Sequence, residues 1–340
     1  MPDVYELAQS FRAEILANER TAATAMVRAY AQVYVRIQAD AAAVLDAIDH
    51  AEKVGDVPGG LASKKRRLEA LRTQVLDQIH GFARYADAAI SQQQRDAVYL
   101  GGEHARQLVF AGMGDAPPGV VVPFNRLPAA AVESMVGTFQ PGSPVAALLD
   151  TLAPSVVLRV QGVMVAGLAL GKNPKTISRE IRQAAGEGLS RALTISRTET
   201  MRSYRTASLD VYQSNPEVVT KWRWTCSFSR RTCGMCLGMD GQEFDLDVPM
   251  GSHPNCRCVP VPVTKTWAEM GYDAPEPLTR PRDTGAEWFA RQSPSVQEEI
   301  LGPGKLNLYV KGKLKLSDLA VCHDDPQWGP TRSEKPLKDL

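Results

Sequence analysis

The sequence predicts an α+β protein, with a mainly helical N-terminal half built on a helical hairpin, then a helical segment and a small zinc-stapled β module. Three observations carry that expectation. Apolar residues recur at spacings of three and four through the N-terminal stretch as far as Ile90. After Pro216 this periodicity gives way to β-branched and aromatic residues broken by glycines and prolines. Five of the six cysteines fall between Cys226 and Cys258, while Cys322 stands alone.

Each element follows from local patterning. Leu7, Phe11, Ile15, Met26, Tyr30, Val33, Ile37, Ala41, Val44 and Ile48 mark one face of a long amphipathic helix. Gly55, Pro58, Gly59 and Gly60 break it. The pattern resumes at Leu68, Leu71, Val75, Ile79, Phe82, Ala86 and Ile90, so the two segments read as an antiparallel hairpin. The basic run Lys64 to Arg67 reads as a solvated helix start. Two helices cannot bury such a stripe alone, and Phe11, Ile37, Leu71 and Phe82 are expected to need further cover, either from the rest of the chain or from a docking partner.

Seven glycines and prolines between Gly112 and Pro128 exclude a continuous helix and predict a linker. Val156 to Leu170 is apolar but interrupted by Arg159 and Gln161, which predicts a buried helix too short to cross a bilayer. Asn173 and Pro174 read as an N-cap and first helical residue, with Gly186 or Gly188 ending or kinking that helix. A second helix is expected from Leu189 to Gln213, stopped by Asn215 and Pro216. Val218, Val219, Trp222, Trp224 and Val259 to Val263 are β-type. Further on, Gly285 to Ile300 predicts a short helix, and Lys305 to Lys315 a hairpin around Gly312.

Composition narrows the function class. Of 340 residues, 44 % are hydrophobic and 23 % charged, which suits a globular chain rather than a disordered one. A net charge of +1 argues against a protein devoted to neutralising phosphates, although Lys305, Lys311, Lys313 and Lys315 offer local contact with DNA. The first residues carry Asp3, Glu6, Arg12 and Glu14 and no apolar core of a signal peptide, so a cytoplasmic compartment and no membrane are expected.

In a reducing compartment, clustered cysteines point to metal rather than disulfides. Cys233-Gly234-Met235-Cys236 is followed, after sixteen residues, by His253-Pro254-Asn255-Cys256-Arg257-Cys258. A C-x2-C turn sets two thiolates about one tetrahedral edge apart, and H-x2-C supplies a nitrogen and a sulfur from a second turn. The expected ligands of a structural Zn2+ are Cys233, Cys236, His253 and Cys256. Cys258 competes, because C-x-C can also deliver two sulfurs, with His253 then behind the ligand shell. The plainer alternative is a set of buried free thiols beside a capping histidine. No catalytic constellation such as G-x-S-x-G, H-E-x-x-H or a P-loop is present, and a zinc-dependent nuclease is the remaining enzymatic alternative.

The order of features resembles the Mu F-like family of phage head morphogenesis proteins. The resemblance is carried by Arg191-Ala192, Ile195 to Glu199, the strand around Trp222, Arg231-Thr232-Cys233, Cys236-Leu237, Asp240-Gly241, Phe244 and His253 to Cys258. Ser229 departs from it, since the family often has an acidic residue there. The chain is thus partitioned into a helical hairpin domain at 1–110, a Gly/Pro-rich linker with short helices at 111–154, a Mu F-like domain with the zinc site at 155–263, and an extension at 264–340.

The resemblance implies a non-enzymatic minor head protein, associated with the portal, major capsid or scaffold protein and acting in head assembly or DNA delivery. It implies residence in the virion, after assembly in the host cytoplasm. The N-terminal hairpin is expected to face the partner while the metal domain provides a rigid base. Arg197 and Glu199 are expected to tie their helix to the β module.

Overall fold

A computed structural model describes residues 3–54, 60–126, 144–169, 172, 174–274, 282–325 and 328–340. The expected N-cap Asn173 and the side chains of Lys64 and Lys65 lie outside the described residues. The architecture is α+β, with long helices first and small antiparallel sheets later. The helices are α1 (Val4–Val54), α2 (Gly60–Met113), α3 (Pro144–Asp150), α4 (Leu152–Ala169) and α5 (Pro174–Gln213). Then come β1 (Val219–Thr225), α6 (Gly234–Met239), β2 (Glu243–Asp245), β3 (Val259–Thr264), α7 (Gly285–Ala290), α8 (Pro294–Val310), β4 (Ala320–Asp325) and β5 (Gly329–Glu334).

Two compact units are present. One gathers Met1–Ala17, Gln94–Val136 and Thr200–Leu340, and the other Asn18–Gln93 and Gly137–Glu199. Their boundaries fall inside α1, α2 and α5, whereas the sequence partition draws its lines at 110/111, in the last turns of α2, at 154/155, inside α4, and at 263/264, at the end of β3. A helix of this length contributes one stretch of its apolar face to each unit.

In the second unit the hairpin is antiparallel: the Tyr30 ring meets the edge of Phe82 at 4.7 Å, and Gln78 Nε2 donates to Asp40 at 2.6 Å. Its apolar stripe is covered by the chain itself. Ile37, Leu71 and Phe82 are buried, the Tyr30 hydroxyl donates to the carbonyl of Ala185 at 2.5 Å, and Gly188 lies against Tyr30 and Val156. The need for outside cover at these residues is therefore withdrawn.

Three other expectations are corrected. Gly186 and Gly188 do not end α5, which runs on to Gln213; at Gly188 the close approach of Tyr30 and Val156, not a helix stop, accounts for the missing side chain. From Ala147 to Gly167 the apolar stretch is 21 residues, long enough by length and composition alone to span a bilayer. In α4, Val156, Val157 and Val160 are buried, but Leu158 and Val165 face outward, so this helix is buried on one face only. The hairpin expected at 305–315 is instead the end of α8 and a turn at Gly312, whose φ is +68°. The true C-terminal hairpin pairs β4 with β5, from Ala320↔Glu334 to Asp325↔Gly329.

The first unit is built around a three-stranded antiparallel sheet in the order β2-β1-β3. Trp222 pairs with Phe244 on one side and Pro262 on the other. Trp222 and Trp224 are fully buried, and Trp222 Nε1 donates to Val248 O at 2.9 Å. The first turns of α1 belong to this core: Ala8 and Phe11 pack with Leu108 and Val261, and Ile15 with Ala97, Met201, Tyr204 and Val259. Phe11 thus also has its cover within the chain.

Candidate metal centre

Two short turns, both dictated by local sequence, bring the predicted ligands together. The first opens α6. Cys233 is its N-cap, with extended backbone, and its Sγ accepts the Cys236 amide at 3.4 Å while Leu237 N donates to Cys233 O at 3.1 Å. The first bond occupies an amide that a helix start leaves unpaired, and the second is the opening bond of the helix itself. Gly234 permits the turn to pack, since a Cβ there would lie 2.5 Å from Leu301 Cδ2.

The second turn is His253-Pro254-Asn255-Cys256. Cys256 N donates to His253 O at 3.2 Å, and Asn255 has a φ of +64°. Proline followed by a left-handed asparagine is the chemistry of a type II turn, in which Pro fixes the first central residue and Asn tolerates the second. His253 Nδ1 donates to Pro254 O at 2.8 Å. That bond fixes the ring with Nε2 toward the sulfurs.

The resulting cluster has the dimensions of a metal site. His253 Nε2 lies 3.3 Å from both Cys233 Sγ and Cys236 Sγ, and Cys236 Sγ lies 3.7 Å from Cys256 Sγ. A tetrahedron with metal–sulfur bonds of about 2.3 Å and metal–nitrogen bonds of about 2.0–2.1 Å has edges of roughly 3.8 Å between sulfurs and 3.5 Å between sulfur and nitrogen. Cys233, Cys236 and His253 form one group whose ligand atoms lie within 4.8 Å of one another, and Cys236, Cys256 and Cys258 form a second. Cys236 is common to both, so the two groups adjoin through it and Cys258 remains in reach. Cys322 is exposed on β4, where its neighbour His323 approaches Thr331 and Ser333.

Burial and close neighbours shift every titratable group of the cluster. The hydrogen bond from Cys236 pulls the Cys233 thiol down to about 5 despite burial, with His253 assisting. Burial would lower His253, yet hydrogen bonds to Cys233 and Cys256 hold it up at about 11. The Cys236 thiol is pushed well above its ordinary value by its sulfur neighbours, Cys256 is drawn well below by Cys236 and Cys258, and burial drives Cys258 up. So many adjacent sulfurs cannot all lose protons without a cation among them. A divalent ion held by these residues would displace those protons and take over the role of the imidazolium.

A residue the sequence reading passed over holds the second turn in place. Arg205 on α5 is buried, and it donates from Nη2 to Cys256 O at 2.8 Å, from Nε to Cys258 O at 2.8 Å and from Nη1 to Ser252 Oγ at 2.6 Å. The expected tie between α5 and the β module is thus made by Arg205. Arg197 Nη2 instead pairs with Glu19 Oε1 on α1 at 2.9 Å, and Glu199 is buried. The only advance signal for Arg205 was its placement two helical turns beyond Arg197 on the same helix.

The remaining motif residues brace this frame. Asp240 Oδ1 accepts the Cys226 amide at 2.8 Å, its Oδ2 accepts the Gly285 amide at 3.0 Å, and the carboxylate pairs with Arg282. Ser229, where the family often has an acidic residue, keeps a polar contact through its Oγ, 3.1 Å from Thr232 Oγ1. The helix, strand, knuckle and C-R-C order therefore closes into one structure.

Residues 159–261 match the family model of Phage Mu protein F like proteins. This is nearly the span, Val156 to Val263, over which the sequence resembles that family. The Mu F-like region contains both turns, the sheet pair β1 and β2, and Arg205. Neither a curated protein nor a solved structure matches the chain.

Proposed function

We propose that this chain is a phage minor head protein, a non-enzymatic assembly component whose Mu F-like region is stapled by a structural Zn2+. The single observation that carries the reading is the coincidence of the family match with a tetrahedrally dimensioned Cys/His cluster. Zinc suits mixed thiolate and imidazole donors. Cys233, Cys236, His253 and Cys256 complete four-fold coordination, and a closed shell leaves no position for an activated water. That supports a scaffolding role over metal-dependent nuclease chemistry.

In this reading the protein associates with the portal, or with major capsid or scaffold protein, inside the forming head. It resides in the virion, reached from the host cytoplasm during assembly. Contact with packaged DNA is weak and local, through lysines such as Lys311, Lys313 and Lys315, which are exposed. The test is phage assembly with the wild-type gene and with Cys256→Ser. Wild-type protein is expected in purified proheads at low copy, crosslinked to portal or shell protein, while the variant is expected to be missing from them. Absence of the wild-type protein from proheads and virions overturns the reading, as does metal-dependent DNA cleavage that a single substitution abolishes.

A further inference from the structure

The two turns of the candidate centre are met by one strand that lies far beyond them in sequence. β5 pairs with β4 and ends at Glu334, and the side chains of Arg332 and Glu334 fall on one side of it because successive residues alternate. Glu334 reaches the first turn: its Oε2 accepts the Met235 amide at 3.2 Å, between Cys233 and Cys236 in the chain. Arg332 reaches the approach to the second. Its Nη1 donates to Pro249 O at 3.3 Å and to Gly251 O at 3.4 Å, just before His253.

The contact at Met235 meets a need of the turn itself. Met235 is the second residue of α6, so its amide has no acceptor within the helix, and the residue is buried away from water. The neighbouring amides are served locally, Cys236 by Cys233 Sγ and Leu237 by Cys233 O. Glu334 supplies the acceptor that the turn lacks. The carboxylate is itself held, since its Oε1 accepts Lys305 Nζ at 2.5 Å and Lys335 N, just past the strand, donates to Leu319 O at 2.8 Å. The fit is close at both turns. A Cβ on Gly234 would lie 3.3 Å from Glu334 Oε2, and one on Gly251 would lie 2.8 Å from Pro330 O.

We infer that β5 is a latch on the metal centre, with Glu334 and Arg332 as positioning residues: Glu334 fixes the Cys233–Cys236 turn through the Met235 amide, Arg332 fixes the approach to His253, and together they set how long a bound zinc is retained. The inference rests on the zinc reading and deepens it. The family match ends at residue 261, so the latch lies in the C-terminal extension, outside the region that supplies the ligands. With the latch open, the buried Met235 amide is left without an acceptor. The turn relieves that cost by changing shape, and it carries Cys233 and Cys236 with it.

The experiment compares wild type, Glu334→Ala, Glu334→Gln, Arg332→Met and Thr331→Ala in the full chain. Gln keeps an oxygen for the Met235 amide and loses only the ion pair with Lys305, while Thr331 is buried on the other face of the same strand. Zinc loss to an excess of chromophoric chelator is timed, and thermal unfolding is recorded for each protein. Glu334→Ala is expected to speed zinc loss by about tenfold or more, and Glu334→Gln by no more than about threefold. Arg332→Met should fall between them. Thr331→Ala should lower thermal stability yet leave the rate of zinc loss near that of wild type. Equal acceleration by Glu334→Ala and Thr331→Ala would mean that the hairpin merely stabilises the fold, and it overturns the inference. Equal acceleration by Ala and Gln at position 334 overturns it too. If Glu334→Ala does not fold, Arg332→Met decides in its place, and an unchanged rate there counts against the latch. Wild type that binds zinc while Glu334→Ala loses it no faster removes this inference alone. Wild type that binds no zinc removes both this inference and the zinc reading.

Discussion

The two compact units are held together by different physics. In the helical unit a ladder of fully buried apolar residues, among them Met26, Ile37, Ile79, Phe82, Ile90, Ile177 and Ile181, runs along long helices whose backbone bonds are satisfied internally. In the unit that holds the cysteines, short strands and tight turns leave many backbone groups to be met by side chains, and Arg205, Asp240 and Trp222 do so one contact at a time. The first kind of core tolerates loss of one member in proportion to the area and cavity involved. The second depends on a centre that fixes several turns at once, so its losses should be abrupt and linked to metal.

The largest expected effect follows from removing that centre. Cys256→Ser should abolish stoichiometric zinc and destabilise its unit by on the order of 5 kcal/mol or more, whereas Cys322→Ser should be silent. Metal analysis and thermal unfolding of both variants check this, and equal effects would erase the contrast between the units.

Phe82→Ala should cost about 3–5 kcal/mol through a cavity beside Tyr30, with zinc content unchanged. Zinc loss in that variant would mean that the two cores are not separable in the way described. Arg205→Met should be intermediate, about 2–3 kcal/mol, because it strands the carbonyls of Cys256 and Cys258. Unlike Phe82→Ala, it should also speed zinc loss to a chelator.

The smallest effect concerns pH. His104 is stacked on Phe11 at 3.8 Å and faces Tyr204 and Glu14, and burial lowers its pKa, although Glu14 and Glu103 pull the other way. A histidine depressed in the folded state takes up its proton first in the unfolded chain, so stability is full above the unfolded value near 6.5 and declines as the pH falls below it. Urea unfolding from about pH 7.5 to 5 should show this decline, and His104→Gln should flatten the part it causes. Because the metal ligands also take protons in acid, the difference between the two proteins is the relevant quantity.

Much of this contrast was legible in the residues themselves. The stripe from Leu7 to Ile90 records a helical period, and its antiparallel return was implied by the Gly/Pro break between its halves. That Cys233, Cys236, His253, Cys256 and Cys258 lie near one another was legible because their spacing along the chain is that of two knuckle turns. What covers the stripe was not legible, since coverage is a tertiary property: the same Phe82 would look alike against α5 or against a partner. Periodicity also could not tell that Lys305 to Val310 continues a helix, because alternation of Leu and Lys is shared by strands and by a helix end passing into a turn. Arg205 was missed because its role is defined by the carbonyls of a turn some fifty residues away, and no local pattern records them. The turn signal in Pro254-Asn255 was readable and went unused.

One prediction reaches across the sequence partition. Deleting residues 1–110 would remove Phe11, Ile15, Ala97 and Leu108 from the core that contains Val259 and Val261. The truncated chain should therefore retain zinc poorly and unfold readily, contrary to the rigid, independent metal domain that the sequence partition implied. Proteolytic sensitivity and zinc content of the fragment decide it.

The account stands or falls on the metal. Elemental analysis and zinc-edge X-ray absorption on the purified full-length protein, prepared without chelator, measure it directly. The proposed zinc staple predicts about one zinc per chain in a shell of three sulfurs and one nitrogen, with Cys226 and Cys322 outside it. A protein free of zinc, whose clustered thiols all react in the native state, would contradict it.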